Sequence, residues 1–330
     1  MGLEREGGMG SRDIRYMVIG AGGTGGAVGS HLANAGCDVT FIARGRHLEA
    51  MRSSGLQVIK PGGGFTAHGF RAFTEEEFLG KAKDNDRDIL PDVIIICVKG
   101  YSIDGIIPFI REAASHGALV IPILNLFGTG RYMQEQLPGI VVTDGCIYVA
   151  SEIKSPGVIF MNGAILRVVF GLRREDADRR PEYEELFSRI HDDMTAAGID
   201  CIVSDNIERD ALRKFSYVSP QGACGLYYGI PAGPMQHPGE ERNCFAGLVH
   251  EVQLLAEAMG IDFGEDIVET NLRILDNLEP DMTTSLQRDI EAGKSSEIDG
   301  LIFEVTELAD EYGIRLPVYE KIVDKLRSEE

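Results

Sequence analysis

The sequence predicts an α/β fold: a mostly parallel sheet with helices on its faces, followed by an all-helical second half. Three observations predict it. In Tyr16-Met-Val-Ile-Gly20-Ala-Gly22-Gly-Thr-Gly25-Gly-Ala-Val-Gly29, an apolar run ends in glycines spaced G-x-G-x-x-G, and a helical pattern starts at once. Pro91-Asp-Val-Ile-Ile-Ile-Cys-Val98 and Ala118-Leu-Val-Ile-Pro-Ile-Leu124 are continuous apolar runs, as strands buried on both faces are. From Asn206 onward the hydrophobic pattern is helical only.

The glycine spacing has a physical reason. Gly20 lets the chain leave the strand in a tight turn, Gly22 lets backbone approach a pyrophosphate, and Gly25 lets helix and strand pack closely. The helix N-terminus offers free N–H groups and partial positive charge to the phosphates. Gly20, Gly22, Gly23, Thr24 and Gly25 are therefore the expected dinucleotide-binding residues of a Rossmann-type domain. A tight βα turn without a nucleotide is the plainer reading.

The next apolar run, Val39-Thr-Phe-Ile-Ala43, ends at Arg44, with Gly45 and Arg46 after it. An acid here would bind a ribose 2′-hydroxyl, whereas a cation suits a 2′-phosphate, so Arg44 points to NADP(H). The alternative is that both arginines are solvated loop charges.

The remaining elements follow in order. A helix is expected from His47 to Ser53, then strands over Gly55–Ile59 and Phe65–Phe73 around the turn Pro61-Gly-Gly-Gly64. Residues 74–90 read as a solvated acidic helix or loop. Helices near Ser102–Ser115 and Arg131–Gln136 flank the second buried run, with a strand at Ile140-Val-Val142 after them. Ile147–Ala150, Gly157–Phe160 and Ala164–Phe170 read as short strands extending the sheet in antiparallel fashion. A helix at Glu182–Ala197 and the run Gly198–Val203 close a domain spanning residues 14–204. Residues 205–330 form the helical domain, with helices near Asn206–Tyr217, Glu240–Met259, Glu265–Leu278, Thr283–Ala292, Glu297–Tyr312 and Pro317–Ser328.

Composition narrows the function. The 330-residue chain is 44% hydrophobic and 25% charged, as a globular protein with a sizeable core is. A net charge of -20 argues against nucleic acid or anionic membrane as partner. The six cysteines form no C-x-x-C pair and read as reduced thiols of a cytoplasmic protein. The histidines form no H-x-x-x-H pattern or Cys/His cluster, so no metal site is expected. Residues 1–13 are polar and glycine-rich, a frayed leader rather than a signal peptide, and no run approaches the roughly 20 apolar residues of a membrane span.

Candidate chemistry sits at strand ends. Lys99 and Asn125 each follow a buried apolar run, where a doubly wound sheet binds its ligands. Ordinary exposure at a strand end is the alternative. In the helical half Lys214 lies beside an apolar stripe and by itself reads as a snorkelling surface lysine. Ser285 alone reads as a helix-start hydroxyl, and Ser295-Ser296-Glu297-Ile-Asp299 as a helix start with acids in its first turn.

Four stretches together resemble the ketopantoate reductase family (2-dehydropantoate 2-reductases). They are Gly20-Ala-Gly-Gly-Thr-Gly25 with Val39-Thr-Phe-Ile-Ala-Arg44-Gly-Arg-His-Leu, Val98-Lys99-Gly-Tyr, Leu212-Arg-Lys214-Phe, and Glu297-Ile-Asp-Gly-Leu, the last with the preceding Ser285. The likeness runs from about Arg15 to Lys325. It implies an NADP-dependent reduction of ketopantoate or a related 2-keto acid to the 2-hydroxy acid, in pantothenate biosynthesis. It implies Arg44 at the 2′-phosphate and Lys99 and Asn125 near cofactor and substrate. Lys214 would be the general acid, kept charged with help from Glu297. Glu297 would orient the substrate or the lysine, Ser285 would contact the substrate carboxylate, and the helical domain would pair as a homodimer. A non-catalytic NADP-binding module is the rival reading.

The sequence departs from the family at the substrate half. The family usually has asparagines four and eight residues after the lysine, where this chain has Val218 and Gly222. Ser219 and Gln221 lie close by, on what read as other faces of the helix. Leu126 follows Asn125 where the family tends to have glycine. These differences imply a pocket altered toward a different, more apolar keto acid.

Overall fold

The computed structural model describes residues 13–83 and 89–329. Residues 1–12 of the polar leader, residues 84–88 of the acidic segment and residue 330 lie outside the described residues.

The first half is built on a five-stranded parallel sheet ordered β5-β2-β1-β6-β7. Its strands are β1 (Arg15–Ile19), β2 (Asp38–Ile42), β5 (Arg71–Phe73), β6 (Val93–Ile96) and β7 (Leu119–Pro122). β6 and β7 are buried at every position, because helices or a second sheet cover both faces. β1 pairs with β2 on one side and β6 on the other. The chain therefore reverses its winding at β1, and a crevice opens at the carboxyl ends of β1 and β6.

A second sheet was not foreseen. β3 (Leu56–Lys60) and β4 (Gly63–Ala67) form a hairpin in it, beside the long antiparallel pair β8 (Asp144–Ser155) and β9 (Val158–Gly171) and the edge strand β10 (Asp200–Val203). The three short strands expected after residue 146 are thus two long ones. Irregular register between Val149 and Ser151 and between Ile153 and Ser155 breaks their alternation and hides their length. The expected strand Phe65–Phe73 also divides: β4 joins the second sheet and β5 the first. The expected strand at Ile140–Val142 contributes only a single bridge from Val142 to Val120.

The two sheets enclose one core. The helix Gly23–Asn34 is buried from Gly25 through Ala33 between them. Its glycines allow this, since a Cβ on Gly26 would overlap Ile159 of β9, and one on Gly29 would overlap the Phe41 ring of β2. Val58, Ile159, Val168 and Phe170 of the second sheet share the core with Phe187, Ile190 and Met194 of the helix Arg180–Ala196. The far face of the parallel sheet is covered by the helix Ile103–Ala113 and by Phe78 and Met133.

The second half is helical, as the pattern requires. Its spine is Ile207–Tyr228, 22 residues long, where the sequence suggested a stop at Tyr217. The helix runs straight through Pro220. A proline lacks the N–H that would serve the carbonyl four residues earlier, here that of Ser216. Asn271 Nδ2, from the helix Ile267–Asp276, donates to that carbonyl at 3.0 Å and replaces the missing bond. Around the spine pack Glu240–Ala258 and Pro317–Ser328, with Phe245, Leu248, Val252, Tyr319 and Ile322 in the core. The spine also leans on the second sheet through Ile207 and Ala211, against Cys146 and Val169. Among the described residues no helix is long and apolar enough to cross a membrane.

Candidate active site

The site lies where the carboxyl ends of the parallel strands meet the helical half. Gly20 follows β1 with φ +92°, a left-handed turn that a side chain would strain. Its N–H donates to the Ile42 carbonyl at 3.1 Å. A Cβ on Gly22 would meet nothing within 4 Å, so the backbone there faces open space. A Cβ on Gly25 would overlap the Gly20 carbonyl oxygen, so helix and turn touch through glycine. The helix Gly23–Asn34 begins with no acid in its first turn and no side-chain cap, leaving its first N–H groups and positive end available. These are the features a dinucleotide pyrophosphate needs, and the residues present fit one.

Arg44 lies just past the end of β2, at the N-cap of Gly45–Ser54, and is exposed together with Arg46. Neither makes an ion pair or side-chain hydrogen bond among the described residues. Thr24 sits in the opening turn of the glycine-rich helix.

Lys99 and Asn125 stand three residues past the ends of β6 and β7. Lys99 reaches across to the helical half, where its Nζ donates to Glu297 Oε2 at 2.9 Å and to Asp289 Oδ2 at 3.3 Å. The other oxygen of Glu297 accepts the Gly100 N–H at 2.9 Å. Burial pulls the Lys99 ammonium toward its neutral form, but the two carboxylates outweigh it and raise its pKa. Glu297 itself is buried, two residues before the π-helical turn Asp299–Phe303 that opens the final part of the domain.

Lys214 is no surface lysine. It is 7% exposed, on the inner face of the long spine. Its Nζ donates to Asn125 Oδ1 at 2.6 Å and lies 5.8 Å from the centre of the Tyr148 ring. Burial pushes its pKa down to about 8; Cys146 and Glu297 oppose this without cancelling it. Glu297 thus acts in the expected direction, favouring the charged lysine, but burial outweighs it. Glu297 hydrogen-bonds Lys99, and Lys214 is left to an uncharged amide.

Ser285 is half-buried and opens the helix Ser285–Glu291. It is not the cap. Thr284 caps the helix in a reciprocal box with Gln287, so the Ser285 hydroxyl makes no hydrogen bond among the described residues. Asp289, one turn further on and bonded to Lys99, was missed by the sequence reading. Its spacing of four from Ser285 was the signal available.

The departures from the family also have places. Leu126 wedges between the halves: a Cβ on Gly100 would overlap its Cδ1, and one on Gly300 would lie 2.9 Å from both of its methyls. Ser219 is spent on structure, with its hydroxyl 2.5 Å from the Leu301 carbonyl and 2.6 Å from the Tyr319 hydroxyl. Gln221 stands off Gly222 by about 100° on the helix but close to the line of Lys214. Seven residues fall about 20° short of two helical turns, so Gln221 shares the face of Lys214.

Such a fold and site define a two-domain oxidoreductase of the dinucleotide-binding kind, with a buried lysine at the junction. The family model described as "Ketopantoate reductase PanE/ApbA" matches residues 16–175, and its C-terminal counterpart matches residues 206–330. The chain belongs to the ketopantoate reductase family. It is thus an oxidoreductase acting on CH–OH groups, and membership supports reduction of a 2-keto acid with a nicotinamide dinucleotide.

Relatives and neighbours agree in extent. An uncharacterized oxidoreductase, YkpB, of Bacillus subtilis is 25% identical over 315 residues, 95% of this chain and 98% of that protein. A 2-dehydropantoate 2-reductase of Pyrococcus horikoshii is 25% identical over 308 residues, 92% of this chain and 94% of that one. The crystal structure of the Geobacter metallireducens 2-dehydropantoate 2-reductase superposes with TM-score 0.82 at 23% identity, covering 96% of this chain and all (100%) of that one. A D-mandelate dehydrogenase solved with NADH and anilino(oxo)acetate superposes with TM-score 0.78 at 17% identity, over 95% of this chain and 97% of that one. A dimeric ketopantoate reductase of Staphylococcus aureus gives 0.74 at 19%, over 96% and 98%.

Proposed function

We propose that this protein is an NADP-dependent reductase that converts 2-dehydropantoate or a related 2-keto acid to the 2-hydroxy acid, with Lys214 as general acid. The observation that carries the reading is the buried Lys214 Nζ, held 2.6 Å from Asn125 Oδ1 at the junction of the two halves. We assign residues 14–204 to the cofactor and residues 205–330 to the substrate and to a homodimer contact, a neighbour of similar fold being dimeric.

NADPH supplies the hydride when bound. Gly20, Gly22, Gly23, Thr24 and Gly25 hold its pyrophosphate at the helix N-terminus, and Arg44 reads the 2′-phosphate. The D-mandelate dehydrogenase of similar fold was solved with NADH, so Arg44 is what favours the phosphorylated cofactor here. As the substrate carbonyl is reduced, negative charge grows on its oxygen. Lys214 donates the proton that neutralises it. A pKa of about 8 suits that task, since the proton is present at neutral pH yet easily given. Asn125 fixes the direction of Nζ.

The substrate carboxylate needs local cations in a chain of net charge -20. Lys99, held in place by Glu297 and Asp289, supplies one, and the Ser285 hydroxyl, without a partner among the described residues, adds a hydrogen bond. A non-catalytic NADP-binding module would leave the burial of Lys214 without a purpose.

The test is loss of NADPH absorbance with ketopantoate and a panel of other 2-keto acids. Turnover of at least one supports the reading. Tight NADPH binding with no turnover of any contradicts it.

A further inference from the structure

We propose that Cys224 and Cys244 form a redox-sensitive thiol pair, which hydrogen peroxide converts to a reversible disulfide with Cys244 as the attacking sulfur. The pair lies in the helical half, outside the lysine site, and stands independently of the reductase reading.

Two packed helices build it. Cys224 stands on the spine Ile207–Tyr228, and Cys244 in the second turn of Glu240–Ala258. Cys224 Sγ donates to the Glu241 carbonyl at 3.4 Å. Glu241 precedes Cys244 by three residues, on the same face of its helix, which sets the Cys224 sulfur beside Cys244. A side-chain hydrogen bond joins the two thiols.

The partners are unequal. Cys224 is wholly buried, whereas Cys244 is half-buried and keeps an exposed edge. The bond from Cys224 draws the Cys244 thiol below its usual range; burial opposes this, while Lys321 and the Tyr228 hydroxyl reinforce it. In Cys224 the same bond and its burial push upward. Burial pushes Cys37, Cys97, Cys146 and Cys201 upward as well. Among the described residues Cys244 is therefore the one cysteine drawn toward thiolate, the form that attacks, and it has a second thiol at hand to resolve the product. Two cysteines packed only as small apolar groups would need neither the exposed edge nor the cation beside it.

The chemistry balances. The Cys244 thiolate attacks one peroxide oxygen; an S–O bond forms, the O–O bond breaks, and the departing hydroxide takes up a proton as water. Cys244 is then a sulfenic acid. The Cys224 sulfur attacks it; the S–S bond forms, the S–O bond breaks, and the oxygen leaves with the Cys224 proton as a second water. Two electrons pass from the thiol pair to the peroxide. The bond fastens the spine that carries Lys214 to the helix Glu240–Ala258.

The experiment treats the reduced full-length protein with a slight excess of hydrogen peroxide, counts thiols in denaturant and maps the peptides by mass spectrometry. The native protein is expected to lose two of its six thiols, to gain one bond between Cys224 and Cys244, and to recover both thiols in dithiothreitol. Cys224→Ser should stop at a Cys244 sulfenic acid that dimedone traps. Cys244→Ser should keep all its thiols under the same treatment. The native protein decides the matter even where a variant fails to fold: six thiols retained, or a bond through any other cysteine, overturns the proposal. Equal thiol loss from the native protein and a folded Cys244→Ser overturns it too.

Discussion

Glu297 hydrogen-bonds Lys99 at 2.9 Å and leaves Lys214 to Asn125. The two lysines of the site are thereby set apart. Lys99, beside two carboxylates, is held charged. Lys214, with an amide for partner, is governed by burial.

A pH dependence follows from that separation. With Lys214 as the proposed general acid, reduction requires it protonated, so kcat/KM should be level below a pKa of about 8 and fall tenfold per pH unit above it. Oxidation of the hydroxy acid needs the neutral amine and should rise through the same pH. Steady-state profiles in both directions check the sign. A reduction rate that climbs between pH 8 and 10 would remove Lys214 as the acid.

Arg44, at the end of β2, makes no ion pair among the described residues, so its loss should be felt by one cofactor only. Arg44→Ala is expected to weaken NADPH binding by roughly tenfold or more, the worth of a charged hydrogen bond, and NADH binding little. Fluorescence titration with both cofactors measures this. Equal losses would mean that Arg44 does not read a phosphate.

Leu126 sits between Gly100 and Gly300, and neither glycine has room for a side chain beside it. Gly100→Ala should destabilise the protein by about 1–3 kcal/mol through overpacking. Adding Leu126→Ala to that variant should recover most of the loss. Denaturant unfolding of the single and double variants tests the coupling, and additive effects would break it.

Asn271 completes the spine at Pro220. Asn271→Ala leaves the Ser216 carbonyl buried without its donor and should cost about 1–3 kcal/mol. Unfolding curves measure the cost, and a loss within about 0.5 kcal/mol, typical of a neutral surface change, would show that the carbonyl does not need this donor.

Much of the architecture was legible because its strands are buried on both faces and its glycine turn is local. Gly20, Gly22 and Gly25 sit where their spacing implied, and β6 and β7 are the apolar runs read as buried strands. What failed to show depends on distant partners. The helix passes Pro220 because Asn271, 55 residues after Ser216, serves the orphaned Ser216 carbonyl. The second sheet stayed hidden because irregular register broke its alternation. At the site, Lys214 reads as a surface residue until helix and sheet are packed together, and Asp289 matters only because Lys99 arrives from the other half. The family resemblance picked out Lys214, Ser285 and Glu297. It did not give the pairing of Glu297 with Lys99 or the face on which Gln221 lies.

The most direct test of the account is the Lys214→Ala variant, measured for NADPH binding and for turnover of the best 2-keto acid of the panel. The account predicts binding close to that of the native protein and turnover lower by about 100- to 10,000-fold, the usual worth of a general acid. Turnover near the native rate, with NADPH still bound, would contradict it.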